Sequence, residues 1–318
     1  MVKQTAQSRD TLLVPLDGSP AAAAVLPAAT VLAKRLAAAV TLLHVLERNA
    51  PQRVHGEQHL TGETDAARYL QEIAAQLEAE GIAVTWHVHQ VPVGDIPLSI
   101  ATHAAESGAS FILLSVHGTG SPRTWLTGAV AQGVIRHAAP PVLLLRSRTT
   151  RHVPFAPEQV VVALDTERQA EVALSPAARL ARALAIPLRV LLVVPTVETI
   201  PGDRVAAARL LPGGASASLN LEAADAEDYL AELAGRIRDT AGDLQVMTEV
   251  ARGDPAQVIV ARTQARPSIL ALATHGRAGF DALWSASVGS RVIARGGGPF
   301  LLVHPEPAGA EPLGQGGG

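Results

Sequence analysis

The chain repeats itself. TLLVPLD (11–17) returns as QVVVALD (159–165), VPVGDIPLSIATHAAESGASFILLSVHG (91–118) as VARGDPAQVIVARTQARPSILALATHG (250–276), and GAVAQGVIRHAAPPVLLLR (128–146) as ASVGSRVIARGGGPFLLVH (286–304). A repeat this long is a whole folding unit, so the chain is restricted to folds that one unit adopts twice. Asp165 follows Asp17 by 148 residues, whereas His275 follows His117 by 158. The second copy therefore carries about ten more residues in its middle, and the Pro/Gly-rich stretch 200–216 is where they are expected.

Within each unit, short apolar runs such as FILLSV and PVLLLR alternate with helix-length segments. Continuous apolar strands are covered on both faces, which means a parallel sheet with helices on each side. Strands are predicted at 11–17, 40–46, 82–91, 110–116 and 141–146, and again at 159–165, 187–195, 245–252, 268–274 and 299–304. Helices are predicted at 20–38, 64–80, 96–107 and 128–138, and at 167–185, 219–240, 255–264 and 286–295. The fold class is α/β: two doubly wound, five-stranded parallel-sheet domains in tandem, with ligand sites at the carboxyl ends of the strands. Domain one is assigned to 1–150 and domain two to 151–307. The tail 308–318 is expected to be disordered.

With 318 residues, 48% of them apolar, two cores of ordinary size are feasible. Charged residues make up 17%, the net charge is −3, and the lysines are Lys3 and Lys34 alone, so no general attraction to nucleic acid is expected. The absence of cysteine excludes disulfides and thiolate metal sites. The first ten residues are polar and form no signal-peptide core, and the apolar runs are strand-length. A cytoplasmic location with no membrane contact is the expectation.

Three features converge at the strand ends of each unit. Asp17 and Asp165 close the first strand; a carboxylate there can accept hydrogen bonds from ribose hydroxyls, or it can cap the next helix. After the fourth strand come SVHGTGSPRTWLTGAV and ATHGRAGFDALWSASV. Backbone amides of such a glycine-rich loop, and of the helix it opens, can hold phosphate oxygens; an ordinary strand-to-helix connection is the alternative. The third feature is that the whole set occurs twice.

These motifs, with VPLDGS, GD, THGR and the terminal PVLLLR, resemble the universal stress protein family over almost the entire chain. The resemblance implies an adenine-nucleotide-binding fold and a pattern of Gly, two residues, Gly, nine residues, then Gly-Ser or Gly-Thr. The matching positions are Ser115, Gly118, Gly128 and Ala129 in the first half, and Ala273, Gly276, Ala286 and Ser287 in the second. Both copies depart from the pattern. Ser115 and Ala273 replace its first glycine, Ala129 lacks the hydroxyl but keeps its N–H, and Ala286 replaces the last glycine. The first half, with two of three glycines, ranks as the better site. By resemblance, Val130 and Val288 lie beside the phosphates, and Val45 and Val194 offer a backbone contact to adenine. Members of the family commonly dimerise through their last strand. Here PVLLLR (141–146) and PFLLVH (299–304) are expected to pair as an internal pseudo-dimer, hiding two sheet edges; a further homodimer stays open.

The resemblance thus implies a stress-response regulatory protein that binds ATP, with or without magnesium, and has little or no catalysis. The alternative is a scaffold that has lost nucleotide binding and acts through protein contacts. No GxxxxGK[ST] and no GxSxG occurs, and no base-plus-nucleophile set is evident, so no catalytic residue is assigned. His117 and His275 read as turn-stabilising groups. Arg123 and Arg277 read equally as phosphate partners or solvated charges. His87 and His89 share one strand face but lack a third ligand in the local sequence, so no metal site is assigned.

Overall fold

The computed structural model describes residues 10–47, 53–54, 57–58, 60, 62–92, 95–117, 129–147, 154–165, 168–200, 205–206, 210–274 and 288–305. In the first half the strands are β1 (Thr11–Pro15), β2 (Ala39–Glu47), β5 (Val84–Val91), β6 (Phe111–His117) and β7 (Val142–Ser147), with a two-residue hairpin β3 (Arg53–Val54) and β4 (Glu57–Gln58) after β2. The second half supplies β8 (Gln159–Leu164), β9 (Leu188–Val194), β10 (Val246–Arg252), β11 (Ser268–Ala273) and β12 (Phe300–Val303). Helices are α1 (Pro20–Ala23), α2 (Leu26–Leu36), α3 (Glu63–Ala79), α4 (Ile96–Glu106), α5 (Ala129–His137), α6 (Leu174–Leu184), α7 (Pro212–Ala241), α8 (Pro255–Gln264) and α9 (Val288–Arg295).

All ten long strands form one sheet in the order β10-β9-β8-β11-β12-β7-β6-β1-β2-β5. Each half has the same internal order, and within a half every pairing between these long strands is parallel. The halves join through the antiparallel pair β7–β12, with Phe300 opposite Leu144, Leu301 opposite Leu143 and Leu302 opposite Val142. The expected internal pseudo-dimer is therefore a continuous sheet. Strand side chains alternate between two cores. One face buries Leu12, Leu143, Val162 and Leu301 under α2, α3, α6 and α7; the other buries Leu13, Leu144, Val161 and Leu302 under α4, α5, α8 and α9. Each core runs through both halves.

Arg179 on α6 ties the halves together a second time. Its guanidinium pairs with Asp10, donates to the Ser110 hydroxyl at 3.2 Å and lies 5.3 Å from the centre of the Phe111 ring. A cation over an aromatic face adds a contact that a carboxylate partner alone does not supply.

Four local expectations need correction. The single helix over 20–38 is two helices, because Pro27 lies in the first turn of α2 and the chain restarts there. The segment 167–185 begins as a 3-10 turn over Arg168–Ala173 before α6. The hairpin β3–β4 had no signal in the sequence. The helix expected over 219–240 begins earlier: α7 starts at Pro212, inside the stretch that holds the extra residues, and runs for 30 residues, against 17 in α3. Proline at the first helical position loses nothing by lacking an N–H, so PGG opens this helix rather than preventing it.

Leu143 and Leu301 face each other at the seam with no exposed surface. Leu143→Ala should cost about 2–5 kcal/mol through lost burial and a cavity. Because the core is shared, denaturant unfolding followed by near-UV dichroism should show one transition displaced for both halves. Two separate transitions, with only one displaced, would contradict the shared core.

Candidate functional site

The order β2-β1-β6 reverses the direction of chain progression at β1, which is where open α/β sheets leave a crevice at their carboxyl edge. The β1–β2 ladder continues to Pro15 opposite Leu43 and is extended by Leu16 N–H donating to Leu43 O at 2.8 Å. The β1–β6 ladder reaches only Leu13 opposite Ile112. Pro15 has no N–H to donate, and the two strands part before their ends. Asp17 stands two residues beyond β1 at this parting, between the ends of β2 and β6, and is half-buried.

The turn that carries Asp17 is built from its neighbours. Asp17 Oδ1 accepts from Ser19 N at 2.9 Å, and Ser19 Oγ accepts from Ala22 N at 3.1 Å as the N-cap of α1. The capping role considered for Asp17 thus belongs to Ser19, and Asp17 braces the turn before it. Gly18 has φ of 87°, and a Cβ there would sit 2.6 Å from Leu60 Cγ, so a side chain is excluded both by conformation and by space. Leu60 is held from below by His44. This buried ring places Nδ1 2.7 Å from Leu16 O and Nε2 3.2 Å from Leu60 O. A neutral imidazole donates to one of these carbonyls and the imidazolium to both. His44 therefore bridges the end of β1 to the segment before α3.

Tyr69 on α3 completes the surroundings. Its hydroxyl is buried and has no hydrogen-bond partner among the described residues. Burial, and then the negative charge of Asp17, push its pKa up to about 12. Sequence reading missed both Leu60 and Tyr69. His44 carries a signal, a polar residue within the apolar run LLHVL, but nothing in that run marks it as a carbonyl bridge.

Of the other positions singled out in the first half, Val45 lies half-buried on β2, and Ala129 and Val130 open α5, with Val130 39% exposed. Ser115 on β6 turns a buried hydroxyl toward the seam between the halves, where it has no partner among the described residues. There it lines a cavity of about 200 Å³ with Ala24, Pro27, Leu145, Phe155 and Pro299. Gly118, Gly128, Gly276, Ala286, Ser287, His275, Arg123 and Arg277 lie outside the described residues.

The second half differs at the same level. Asp165 is exposed; strand register sets Val193, not Val194, at the level of Val45, and Val194 is only 3% exposed, with its carbonyl accepting from Gly253 N at 3.1 Å. Arg252, opposite Val194 at the end of β10, donates to Leu219 O at 3.1 Å and Asn220 Oδ1 at 3.3 Å. The additional turns of α7 therefore dock on the carboxyl ends of the strands, and Ile200 and Leu219 are buried in the same core as Val194. Ala273 ends β11 half-buried, and Val288 opens the described part of α9. Asp254 of the second GD pair is a structural group. It caps α8 through Gln257 N at 2.9 Å and pairs with Arg291 at 2.8 Å. Its burial opposes ionisation, but these two partners outweigh it and hold the carboxyl below its ordinary range.

The profile of the universal stress protein family matches residues 8–146 and again residues 157–304. The chain belongs to the universal stress protein family. Its tandem fold is similar to a universal stress protein from Archaeoglobus fulgidus, at 18% identity and TM-score 0.62 over 94% of this chain and 97% of that one. A Pseudomonas aeruginosa protein assigned to the same family gives 18% identity and TM-score 0.61 over 93% and 94%. An Archaeoglobus fulgidus universal stress protein solved in complex with dAMP covers 43% of this chain, with 96% of its own length, at 22% identity and TM-score 0.32. A search of curated proteins finds no match. No described helix is long and apolar enough to cross a membrane.

The environment of Tyr69 is directly measurable. Tyr69 and Tyr229 are the only tyrosines, so absorbance titration of Tyr229→Phe follows Tyr69 alone. Ionisation is expected near pH 12. Folding raises this pKa, so the associated stability holds below the unfolded value of about 10 and is lost as pH rises through the folded one. Ionisation of the folded variant near pH 10 would place the hydroxyl in water and away from Asp17.

Proposed function

We propose that this protein is a stress-response regulator that binds one adenine nucleotide, ATP, in its first half, and that the second half serves as a structural partner. One observation carries the reading: in the first half Asp17 stands at the parting of β1 and β6 beside Val45, whereas in the second half the lengthened α7 docks on the corresponding strand ends. In this reading Asp17 accepts from ribose hydroxyls, Val45 offers backbone to the base, and the N-terminus of α5 takes the phosphates; Gly118 and Gly128, which the family resemblance assigns to the same role, lie outside the described residues. The family supports this assignment, as does the first copy's Gly128, where the second copy has Ala286; Gly118 has its counterpart in Gly276. A magnesium ion accompanying the phosphates fits the same reading, with no protein ligand assigned to it. Catalysis forms no part of the proposal, because Asp17 already braces a turn and the sequence offers no evident base-plus-nucleophile set. A cytoplasmic location accords with it.

The scaffold reading draws on a separate feature. Leu210, Leu211 and Leu221, at and near the start of α7, are 81%, 72% and 64% exposed, and exposed apolar groups of this kind mark protein contacts when they cluster.

Calorimetric titration with ATP, with and without magnesium, separates the readings. Wild type should bind one nucleotide per chain. Gly128→Val should abolish binding, and Asp17→Ala should weaken it at least about tenfold, the loss of about one charge-assisted hydrogen bond. Asp165→Ala should leave it unchanged. A folded wild type that binds nothing at millimolar ATP would establish the scaffold reading instead.

A further inference from the structure

The outer edge of the first half carries a histidine cluster that the nucleotide site does not use. His87 and His89 point to the same exposed face of the edge strand β5. The packing of α4 against that edge brings His103 to them: the His87 and His103 rings lie 4.9 Å apart, centre to centre, with their planes at 59°. His89 Nδ1 is 3.1 Å from Ser99 Oγ, one helical turn before His103. Glu106 follows His103 by three residues on α4, on the same side and exposed.

The second half shows what this position is for. His103 and Arg262 each stand eight residues after the aspartate of their GD pair. Arg262 on α8 donates to Glu249 of the edge strand β10 at 2.6 Å, and Glu249 also pairs with Arg189 on β9 at 2.9 Å. An ion pair thus ties helix to edge strand there. In the first half the corresponding tie is two imidazoles, which attract each other weakly when neutral and repel when both are protonated. A cation shared between them converts that contact into a link.

The geometry points to a binding site for a divalent transition-metal ion of the zinc class between β5 and α4, held by His87 and His103 and closed by Glu106. Two imidazoles on one ion, with metal–nitrogen bonds of about 2 Å and an angle between right and tetrahedral, have ring centres about 5 Å apart. The observed separation of 4.9 Å matches that spacing. No three His, Asp or Glu groups among the described residues already converge on one point, so the third ligand arrives by rotation of the exposed Glu106 side chain, and water fills the remaining position. His103 is suited to the role: burial first, then His87, lower its pKa despite the opposing influence of Glu106, and the neutral ring is the form that ligates. The His89–Ser99 contact orients the neighbouring ring in the way that outer hydrogen bonds orient histidines at metal sites.

The test is titration of the chelator-stripped full chain with Zn²⁺ by calorimetry, and with Co²⁺ by visible absorption. One ion per chain is expected at this site. Affinity should fall at least about tenfold in His87→Ala and in His103→Ala, less in Glu106→Gln, and not at all in His137→Ala. Nitrogen-15 spectra of the histidine rings should show the signals of His87 and His103 moving together on adding Zn²⁺, a readout independent of how the alanine variants fold. A stripped chain that takes up no Zn²⁺, or one whose uptake survives both alanine substitutions, overturns the proposal. Neither result bears on ATP binding.

Discussion

The antiparallel ladder between β7 and β12 is the interaction on which the rest of the molecule depends. It is short, three residue pairs, but its side chains are buried on both faces of the sheet. Separating the halves would expose two apolar edge strands with unpaired backbone groups, the arrangement most prone to non-specific pairing. Joining them makes ten strands one sheet and each helical layer one core. It also sets the direction of everything else. Strands of the two halves run oppositely, so the carboxyl ends that carry Asp17 and those that carry Asp165 lie at opposite edges of the sheet.

With the halves locked in that way, each is free to diverge at its own edge. The first half braces its strand end with Ser19, His44 and Leu60 and leaves Asp17 partly accessible. By strand register the second half has Leu192 where the first has His44, and its lengthened α7 packs Leu219 into the core beside the strand ends. A duplicated unit needs only one copy of its site. The helix α7 exceeds α3 by 13 residues, 30 against 17, or about three and a half turns.

The repeat made the architecture legible. Matched aspartates, GD pairs and terminal apolar strands pointed to strand number and parallel direction, and the family resemblance implied that the two last strands pair; the register that sets Leu143 opposite Leu301 came from the structure. Less legible were features whose cause lies outside the local pattern. Pro27 interrupts a helix that the alternation of alanine and leucine otherwise supports. Pro212 with its two glycines reads as a breaker until its place at the first helical position is known. At the site, Asp17 was visible as the residue ending an apolar strand, but its bond to Ser19 N could not be told from a direct cap. His44 and Tyr69 act through distant partners, Leu60 and Asp17, that no spacing rule connects. His103 is the same case: it lies 16 residues from His87 in sequence and meets it only because α4 folds back on β5.

Central to the proposed function is a division of roles: the first half is open at the parting of β1 and β6, and the second has α7 docked on the ends of β9 and β10 while Asp165 stays exposed. Hydrogen–deuterium exchange with and without saturating ATP reads both halves in one experiment. The account predicts added protection at the ends of β1 and β2 and at the start of α5, with the ends of β8 and β9 unchanged. Equal protection at both sets of strand ends, or protection confined to β8 and β9, would contradict it.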